Sequence, residues 1–483
     1  MTPYARQVAR TLQRAGVRRL FGMPGGGGNS DLLEAAAEIN LPFTLAHTET
    51  AGAFMACAQA EITGQPGACL ATLGPGAASL VNGVAQAYCD RVPLIVITDP
   101  PHREYLHQTL PHQSMLAPLV KWSGSDPEEA LAVVTTPPYG PVHLEAGAAS
   151  VHASPRAGHA PSLRPAACEI PAKRPVMLVG LGATNREPLE YCERHRIPAL
   201  VTYKAKGVIP DDHPWFAGVL TNGALERPVL AQADLFVTAG FDPVELIPRP
   251  WDYPAPLAEM DRAVTASTWT APEVRALAEA QLAAMRPAGE PGELAPHRVV
   301  EIAAAIYAGA RITVDAGAHM LPVIAHWPAR EPRGVLISNG LATMGFALPA
   351  AIGAALLDEH RDPRRPTVVF TGDGGLAMCA AELRTAARER LPLRIVVFDD
   401  STLSLIRLKQ QQRGLPTEGT AFDGIDWRMV ACGFGAAGRT AVSEEALRSA
   451  LLETRDHPGP VLIAARISTR TYPELIRALR GPA

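Results

Sequence analysis

The stretch that decides the fold is Thr367–Asp400, which reads TVVFTGDGGLAMCAAELRTAARERLPLRIVVFDD. A short apolar run, Thr367–Phe370, leads into a glycine-rich turn, and a helical pattern follows over Ala380–Arg390. A second apolar run, Arg394–Phe398, closes the unit. Continuous apolar runs bounded by turns are typical of parallel strands that are buried on both faces. The stretch therefore predicts a strand–helix–strand unit of an α/β fold.

The same alternation of apolar runs and helical patterns extends over the rest of the 483 residues. Further strand-like runs are Pro93–Thr98, Val176–Gly180 and Leu235–Ala239, and a further helical pattern is Glu444–Thr454. Two Pro- and Ala-rich stretches, Ala153–Pro175 and Arg286–Pro296, are typical of linkers. A chain of this length corresponds to about three domains. We therefore predict three α/β domains, each with a parallel sheet flanked by helices, over residues 1–155, 172–284 and 296–483.

The composition argues against several classes of protein. The formal net charge is −4 and no basic tract stands out, which disfavours a nucleic acid or an anionic membrane as a partner. The seven cysteines form no CxxC pair, so neither a disulfide framework nor a zinc site is expected. Two uncharged stretches, Ile62–Cys89 and Gly334–Leu357, are long enough to span a membrane, but glycine and proline interrupt both. The arginines of residues 1–21 are not followed by an apolar leader segment, and we expect a cytoplasmic protein.

Acidic residues and glycines follow the two strands predicted in the opening stretch. Asp373 lies in the run Gly372-Asp373-Gly374-Gly375, and Asp400 follows the second strand 27 residues later. One strand–helix–strand unit has this length, so both carboxylates are expected at carboxyl ends of parallel strands, where open α/β sheets bind ligands. Mg²⁺ needs few protein ligands beside phosphate oxygens and water, and glycines at a helix start let backbone N–H groups approach a phosphate. The pattern predicts a Mg²⁺–diphosphate site; the alternative is a plain glycine turn with a solvated Asp399-Asp400 loop.

Motifs along nearly the whole chain resemble those of thiamine-diphosphate-dependent enzymes, and most closely the acetolactate synthase-like branch. The resemblance begins with Gly372-Asp373-Gly374 and the acidic residue after the next strand. The other motifs, in chain order, are Met23–Gly26, His47–Glu49, Leu73–Ala77 and Asn339–Pro349. The last of them resembles the segment that cradles the aminopyrimidine ring of the cofactor. Each motif alone is weak, whereas the combination is highly specific.

The resemblance implies thiamine diphosphate and Mg²⁺ as cofactors. Glu49 takes the place of the carboxyl that hydrogen-bonds the pyrimidine ring and makes the cofactor's own 4′-amino group act as a base. Met344 takes the place of the apolar wedge that bends the cofactor and so preorganises its reacting groups. The implied cofactor-binding residues are Gly25, Gly26, Glu49, Gly74, His319, Ala342, Met344, Gly372, Asp373, Gly374, Gly375, Asp400 and Ile406. The implied metal ligands are Asp373, Asp400 and, through its carbonyl, Thr402.

Asp400 departs from the family pattern, which commonly has asparagine at this position. An aspartate can bind Mg²⁺, but it adds negative charge beside a diphosphate. Three interpretations stay open: the ion is held more tightly, Asp399 is the true ligand, or the affinity for the cofactor is reduced.

The loop Tyr105–Trp122 resembles the one that borders the reacting carbon in acetolactate synthases and aldehyde lyases. Gln113 matches a glutamine that contacts substrate there, and His112 is a candidate for a carboxylate or proton contact. Pyruvate decarboxylases have a glutamate where this chain has Ile406, whereas synthases have an aliphatic residue. The resemblance therefore favours a carboligase that decarboxylates a pyruvate-like 2-oxo acid and adds the resulting enamine to a second carbonyl. The alternative with the same cofactors is a 2-oxo acid decarboxylase or aldehyde lyase.

Two alternatives belong to other classes. A non-catalytic family member would bind the cofactor without turnover. A nicotinamide-dependent oxidoreductase would rest only on Gly180-Leu181-Gly182, which is a weak dinucleotide signal. An FAD site is not favoured, because Gly240–Glu245 resembles the flavin-free catabolic acetolactate synthases.

The resemblance also implies how the chain assembles and what it meets. In the family, the pyrimidine-binding domain of one subunit faces the diphosphate-binding domain of another. Glu49 and Asp373 would then act across an interface, in a homodimer or a dimer of dimers. The expected partners are small 2-oxo acids or aldehydes.

Overall fold

The computed structural model describes residues 1–101, 106–148, 150–152, 169–261, 263–265, 267–358 and 365–481. The first domain is built on a seven-stranded sheet with the order β2-β1-β3-β4-β6-β5-β7, in which only β5 and β7 pair antiparallel. Its strands are β1 (Leu20–Met23), β2 (Phe43–Leu45), β3 (Gly67–Ala71), β4 (Leu94–Thr98), β5 (Trp122–Gly124), β6 (Val142–Glu145) and β7 (Val151–His152). Its helices are α1 (Pro3–Arg14), α2 (Gly28–Glu38), α3 (Glu49–Thr63), α4 (Pro75–Ser79), α5 (Val81–Cys89), α6 (His112–Leu116) and α7 (Pro127–Val134).

The second domain has a five-stranded parallel sheet with the order β11-β10-β9-β12-β13, and a separate pair of strands, β8 and β14. Its strands are β8 (Glu169–Pro171), β9 (Pro175–Val179), β10 (Ala199–Val201), β11 (Phe216–Val219), β12 (Leu235–Ala239), β13 (Leu257–Glu259) and β14 (Ala263–Thr265). Its helices are α8 (Glu187–His195), α9 (Arg227–Leu230), a 3₁₀ turn (Pro243–Glu245) and α10 (Ala271–Ala284).

The third domain has a six-stranded parallel sheet with the order β16-β15-β17-β18-β20-β19. Its strands are β15 (Arg311–Val314), β16 (Val335–Ile337), β17 (Thr367–Gly372), β18 (Leu393–Asp399), β19 (Ala437–Ala441) and β20 (Val461–Arg466). Its helices are α11 (Pro296–Ile306), α12 (Met320–His326), α13 (Ala347–Leu357), α14 (Asp373–Cys379), α15 (Glu382–Arg388), α16 (Ser404–Gln412), α17 (Trp427–Gly433), α18 (Glu444–Glu453) and α19 (Tyr472–Arg480). The predicted class, three parallel-sheet α/β domains, is confirmed.

The stretch quoted at the start forms the centre of the third sheet. β17 and β18 are parallel neighbours, with Phe370 opposite Val396 and Gly372 opposite Phe398. The helical region between them differs from the expectation: helix begins at once with Asp373, and a second helix covers Glu382–Arg388 instead of Ala380–Arg390. Residues 153–168 of the first predicted linker lie outside the described part of the chain, and so does Tyr105 of the predicted loop. The limits proposed for the domains stay a prediction.

The first and third domains of one chain share a hydrophobic core along α3 and α13. The helices approach closely at Gly353, where an added Cβ would lie 2.3 Å from the carbonyl oxygen of Met55. Phe54 and Phe346 stack edge to face beside them, with ring centroids 5.4 Å apart. α13 is apolar all round and is buried between two domains, so protein packing explains the apolar character of the stretch Gly334–Leu357. Among the described residues, no helix combines the length and apolarity that crossing a membrane requires.

Candidate functional site

A cavity of about 180 Å³ opens at the carboxyl edge of the third sheet. Loops after β15, β17 and β18 line it, together with the segments that lead into α13 and α16. The cavity brings together all of the predicted cofactor and metal residues of the third domain: His319, Ala342, Met344, Gly372, Asp373, Gly374, Gly375, Asp400, Thr402 and Ile406. Residues spread over almost ninety positions therefore converge on one place.

Glycine is required where α14 starts, because the backbone passes close to other groups there. A Cβ on Gly375 would lie 2.5 Å from Oδ2 of Asp315, and one on Gly374 would lie 3.0 Å from the Leu403 side chain. Asp315 itself is buried and accepts hydrogen bonds from the N–H groups of Phe346 and Ala347, both at 2.7 Å. The start of α13 and the glycine turn are thus fixed to the same carboxylate, and bare backbone lines the cavity between them.

Asp373 ties together the ends of the two central strands. Its Oδ2 accepts a hydrogen bond from the Ser401 N–H at 2.6 Å, and its Oδ1 accepts one from the Gly374 N–H at 2.7 Å. Asp400 accepts hydrogen bonds from the Thr402 N–H at 3.1 Å and from the Ser404 hydroxyl at 2.7 Å. Burial raises the pKa of Asp373 and raises that of Asp400 to about 7, and repulsion between the two carboxylates adds to the latter. The pair forms a concentration of negative charge that a cation would relieve.

Of the two adjacent aspartates, Asp400 faces the cavity. Asp399 ends β18, does not line the cavity, and lies 3.9 Å from Nε of Arg466. The described ranges contain no group of three or more His, Cys, Asp or Glu side chains arranged to hold a metal. A Mg²⁺ ion here would therefore need further oxygen ligands from the backbone, a phosphate or water, which is its usual preference. Asp373, Asp400 and Thr402 line one edge of the cavity, and two carboxylates with a backbone oxygen are a donor set that fits that ion.

His319 and Ala342 are held in unusual states at the cavity wall. His319 is 5% exposed and stacks on Phe398, with ring centroids 5.4 Å apart. Its buried Nε2 finds no hydrogen-bond partner in the part of the chain that the structure describes, and burial lowers its pKa to about 4. Ala342 adopts φ +54°, a left-handed conformation that is uncommon for residues with a side chain. The unpartnered Nε2 of His319 fits a polar ligand such as a diphosphate.

The predicted site residues of the first domain lie elsewhere. Gly25, Gly26, Glu49, Gly74, His112 and Gln113 are absent from the cavity lining of their own chain. Glu49 is the first residue of α3, but Thr48 provides the cap, so the carboxyl is not used to cap the helix. A Cβ on Gly76 would lie 3.1 Å from Oε1 of Glu49, which places the Leu73–Ala77 turn against this carboxylate.

His112 is 1% exposed, and both of its ring nitrogens are engaged. Nε2 accepts a hydrogen bond from the Gly74 N–H at 3.0 Å, so the ring proton sits on Nδ1, which donates to Oε2 of Glu145 at 2.7 Å. The ring therefore positions the Gly74 turn, which has φ +63°, and its contact with a substrate stays a prediction.

A second chain of buried hydrogen bonds leads from Gln113 to the same Glu145. Gln113 donates to Ser123 Oγ at 3.3 Å, and Ser123 donates to Nδ1 of His143 at 2.8 Å. Nε2 of His143 lies 2.8 Å from the Thr98 hydroxyl, which donates to Oε2 of Glu145 at 3.2 Å. Sequence reasoning missed this network, although the polar residues in the apolar strand Val142–Glu145 are a signal that could have revealed it.

The weak dinucleotide signal has a packing explanation. A Cβ on Gly180 would lie 2.6 Å from the Gly240 carbonyl oxygen, and one on Gly182 would lie 3.0 Å from the Gly240 Cα. These glycines allow two loops of the second domain to touch.

A larger cavity, about 700 Å³, lies between the second and third domains and shares no residue with the smaller one.

Comparison with known protein families finds a match in each of the three domains. Three family models match: the N-terminal TPP binding domain of thiamine pyrophosphate enzymes at residues 3–119, the central domain at 171–264, and the C-terminal TPP binding domain at 315–465. Together they cover most of the chain.

Individual relatives extend over the full length. The chain is 27% identical to acetolactate synthase of Bacillus subtilis (strain 168), over 95% of this chain and 92% of that protein. It is 28% identical to a probable 2-ketoarginine decarboxylase of Pseudomonas aeruginosa, over 95% and 93%. The fold is similar to that of the thiamine diphosphate-dependent 4-hydroxybenzoylformate decarboxylase of Rhodococcus jostii RHA1, with a TM-score of 0.77 and 20% identity over 97% and 99% of the two chains. From its three matched domains, the chain belongs to the thiamine pyrophosphate enzyme family.

Proposed function

We propose that this chain is a thiamine-diphosphate- and Mg²⁺-dependent carboligase. It decarboxylates a 2-oxo acid and joins the remaining unit to a second carbonyl compound. The observation that carries the proposal is the cavity in which Asp373, Asp400, Met344 and Ile406 meet. When bound, the thiazolium ring of the cofactor supplies the carbanion chemistry that decarboxylation of a 2-oxo acid needs.

The chain's own residues would bind the metal ion and the cofactor and would orient the cofactor's rings. Asp373, Asp400 and the Thr402 carbonyl would hold Mg²⁺, and the Gly372–Gly375 backbone would lie along the diphosphate. The Met344 side chain, whose Cε lies near Gly374, would exclude water and fill the space under the rings. Glu49 would hold a proton on its carboxyl oxygen beside the pyrimidine ring.

Ile406 supports joining over release of an aldehyde. It lines the cavity and is 43% exposed, so its aliphatic side chain faces the space where substrates would react. An aliphatic group can neither donate nor accept a proton, whereas release of an aldehyde requires protonation of the reacting carbon. Without a proton donor at this position, the decarboxylated unit would last longer before it is protonated, which leaves more time for a second carbonyl compound to react with it.

The second candidate function is decarboxylation with release of the aldehyde. It is favoured by the similarity to the probable 2-ketoarginine decarboxylase, whose sequence identity of 28% is close to the 27% of acetolactate synthase. The two candidates share every cofactor-binding residue and differ only in the fate of the decarboxylated unit.

A second copy of the chain would complete the site. None of the described residues of the first domain lines the cavity of the same chain. Apolar side chains near the cavity are exposed, with Met378 at 62% and Phe422 at 40%, which suits an interface. We expect a homodimer, alone or paired as a dimer of dimers, in which Glu49 of one chain serves the cavity of the other. Glu49→Ala and Asp373→Ala chains, each inactive alone, should regain part of the activity when co-expressed; no recovery would contradict the shared site.

The function is tested by substrate consumption. Purified protein is incubated with thiamine diphosphate, Mg²⁺ and a panel of 2-oxo acids that includes pyruvate and benzoylformate, and CO₂ release is followed. Asp373→Ala is the matched control. We expect release that requires both cofactors and is lost in the variant. If both proteins are inert towards the whole panel, and neither gains thermal stability from the cofactors, the proposal is wrong.

A further inference from the structure

One face of α5 in the first domain is polar and points at the third domain. Asn82, Gln86 and Asp90 are spaced by four residues, which places them on the same side of the helix and its cap. All three contact the segment Ser338–Thr343, which leads from β16 to the cavity residues Ala342 and Met344. The Asn82 amide donates to the Thr343 hydroxyl at 3.2 Å.

Gln86 and Asp90 hold the backbone of that segment. The Ser338 hydroxyl donates to Oε1 of Gln86 at 2.6 Å and itself accepts the Thr343 N–H at 3.1 Å. Oδ1 of Asp90 accepts the Gly340 N–H at 2.6 Å. The amide of Gln86 joins the two side chains by donating to Oδ2 of Asp90 at 2.7 Å. Gln86 and Asp90 are both almost fully buried, at 0% and 2% exposure.

A lysine of the second domain completes the arrangement. Nζ of Lys204 lies 2.8 Å from Oδ2 of Asp90, 2.8 Å from Oε1 of Glu61 and 3.0 Å from the Ile337 carbonyl oxygen. Its three N–H donors therefore reach two carboxylates of the first domain and the last residue of β16. Burial acts to lower the lysine pKa, but the two carboxylates outweigh it and the pKa is raised. Lys204 thus carries a buried positive charge at a point where all three domains meet.

We propose that Gln86, Asp90 and Lys204 form a positioning clamp that sets the Ser338–Met344 backbone for the aminopyrimidine end of the cofactor. The clamp rests on the proposed function in that the ligand is thiamine diphosphate. Its residues do not line the cavity and act through Ser338, Gly340 and Thr343. The left-handed Ala342, two residues beyond Gly340, is the part of the wall whose conformation the clamp holds.

The test compares two buried glutamines with the same substitution. Gln86→Met removes the hydrogen bonds of the clamp to the Ser338 hydroxyl and between Gln86 and Asp90. Gln59→Met is the control, because Gln59 is also buried, at 4% exposure, and also bonds the third domain, through the Gly353 carbonyl oxygen at 3.0 Å, but does not touch the segment. Two readouts are taken on the full-length apoprotein: hydrogen–deuterium exchange of the amides of residues 339–344, and the Kd for thiamine diphosphate with Mg²⁺ by titration calorimetry.

We expect Gln86→Met to speed exchange in residues 339–344 and to raise the Kd about tenfold, whereas Gln59→Met changes neither. Equal exchange in the two variants overturns the clamp whatever the cofactor. Faster exchange with an unchanged Kd overturns its role in cofactor binding. If the parent protein binds no thiamine diphosphate, the proposed function fails and the cofactor role of the clamp fails with it, while the exchange result still decides whether the segment is held. Asp90→Asn, which keeps an acceptor for Gly340 but weakens the pairing with Lys204, should give an intermediate Kd.

Discussion

The Oδ2 atom of Asp373 lies 2.6 Å from the backbone nitrogen of Ser401, and this hydrogen bond joins the carboxyl ends of two neighbouring strands. It also brings Asp400, the residue before Ser401, to the same edge as Asp373. The two carboxylates that the sequence places 27 residues apart therefore share one cavity. This relationship is the basis for proposing Asp373 and Asp400 as metal ligands.

Replacing Asp400 should separate its role from that of its neighbour. Asp400→Ala removes an oxygen donor that lines the cavity, so the stabilisation of the protein by thiamine diphosphate and Mg²⁺ should be lost in a thermal-shift assay. Asp399→Ala is the control and should keep that stabilisation, because Asp399 points towards Arg466. The reverse pattern would make Asp399 the ligand. Asp400→Asn should retain most of the stabilisation, since an amide oxygen also binds Mg²⁺.

Glu49→Gln should bind the cofactor but lose most turnover. The amide has the shape of the carboxyl but cannot hold the proton that the pyrimidine ring requires. We expect a fall in kcat of at least about a hundredfold with little change in the Kd for thiamine diphosphate. Glu34→Gln, on α2, serves as a control on the same domain. Unchanged turnover in Glu49→Gln would remove the role assigned to this residue.

Glu145 should matter for stability far more than a surface glutamate in a similar pair. Glu145→Met leaves the Nδ1–H of His112 and the Thr98 hydroxyl buried without an acceptor, which should cost about 3 kcal/mol. Glu129 lies 2.8 Å from His152 at the surface, and Glu129→Met should cost much less, because water screens an exposed pair. Urea denaturation of both variants measures the difference. Similar losses would show that the buried network does not hold the first domain.

Acid should destabilise the protein partly through His143. Burial lowers the pKa of this ring to about 4, although Glu145 opposes the shift, while His112 adds to it. A folded-state pKa below the unfolded one means that the unfolded chain takes up the proton first, so stability is full above about pH 6.5 and falls as the pH drops towards 4. Between pH 7 and pH 5 the loss from this group is about 2 kcal/mol. His143→Gln offers a similar donor and acceptor without titrating, so its free energy of unfolding, measured with urea, should fall by about 2 kcal/mol less between pH 7 and pH 5 than that of the parent protein. His152→Gln should show the same fall as the parent protein. An equal pH dependence of stability in all three proteins would contradict the assignment.

The third domain could be predicted from sequence in detail because its chemistry is local. The strand Thr367–Gly372, the glycine turn and Asp400 lie within one unit, and the parallel pairing of β17 with β18 brings their ends together. Thr402 and Ile406 follow Asp400 closely in the sequence. Asp373 and Asp400 were placed by spacing and residue type, whereas Thr402 and Ile406 were placed by the resemblance to the family, and all four line the cavity.

Long-range contacts could not be predicted in the same way. Nothing in the spacing of Lys204 indicates that it reaches Asp90 and Glu61 of another domain. The spacing of Asn82, Gln86 and Asp90 by four residues does not indicate a contact between domains, because such a polar face of a helix is more often solvated. The contact of His112 with a substrate stays a prediction, whereas its hydrogen bonds to Gly74 and Glu145 were not predicted. Burial and domain packing decide such cases, and neither is encoded in a local motif.

The most direct test of the central claim is proton NMR of the purified protein with thiamine diphosphate, Mg²⁺ and pyruvate, beside Glu49→Gln. We predict acetolactate or acetoin in the sample with the intact protein and neither product in the variant. Acetaldehyde as the sole product would contradict the carboligase and establish the decarboxylase. The same product in equal amount from both samples would contradict the role of Glu49 and with it the site described for this chain.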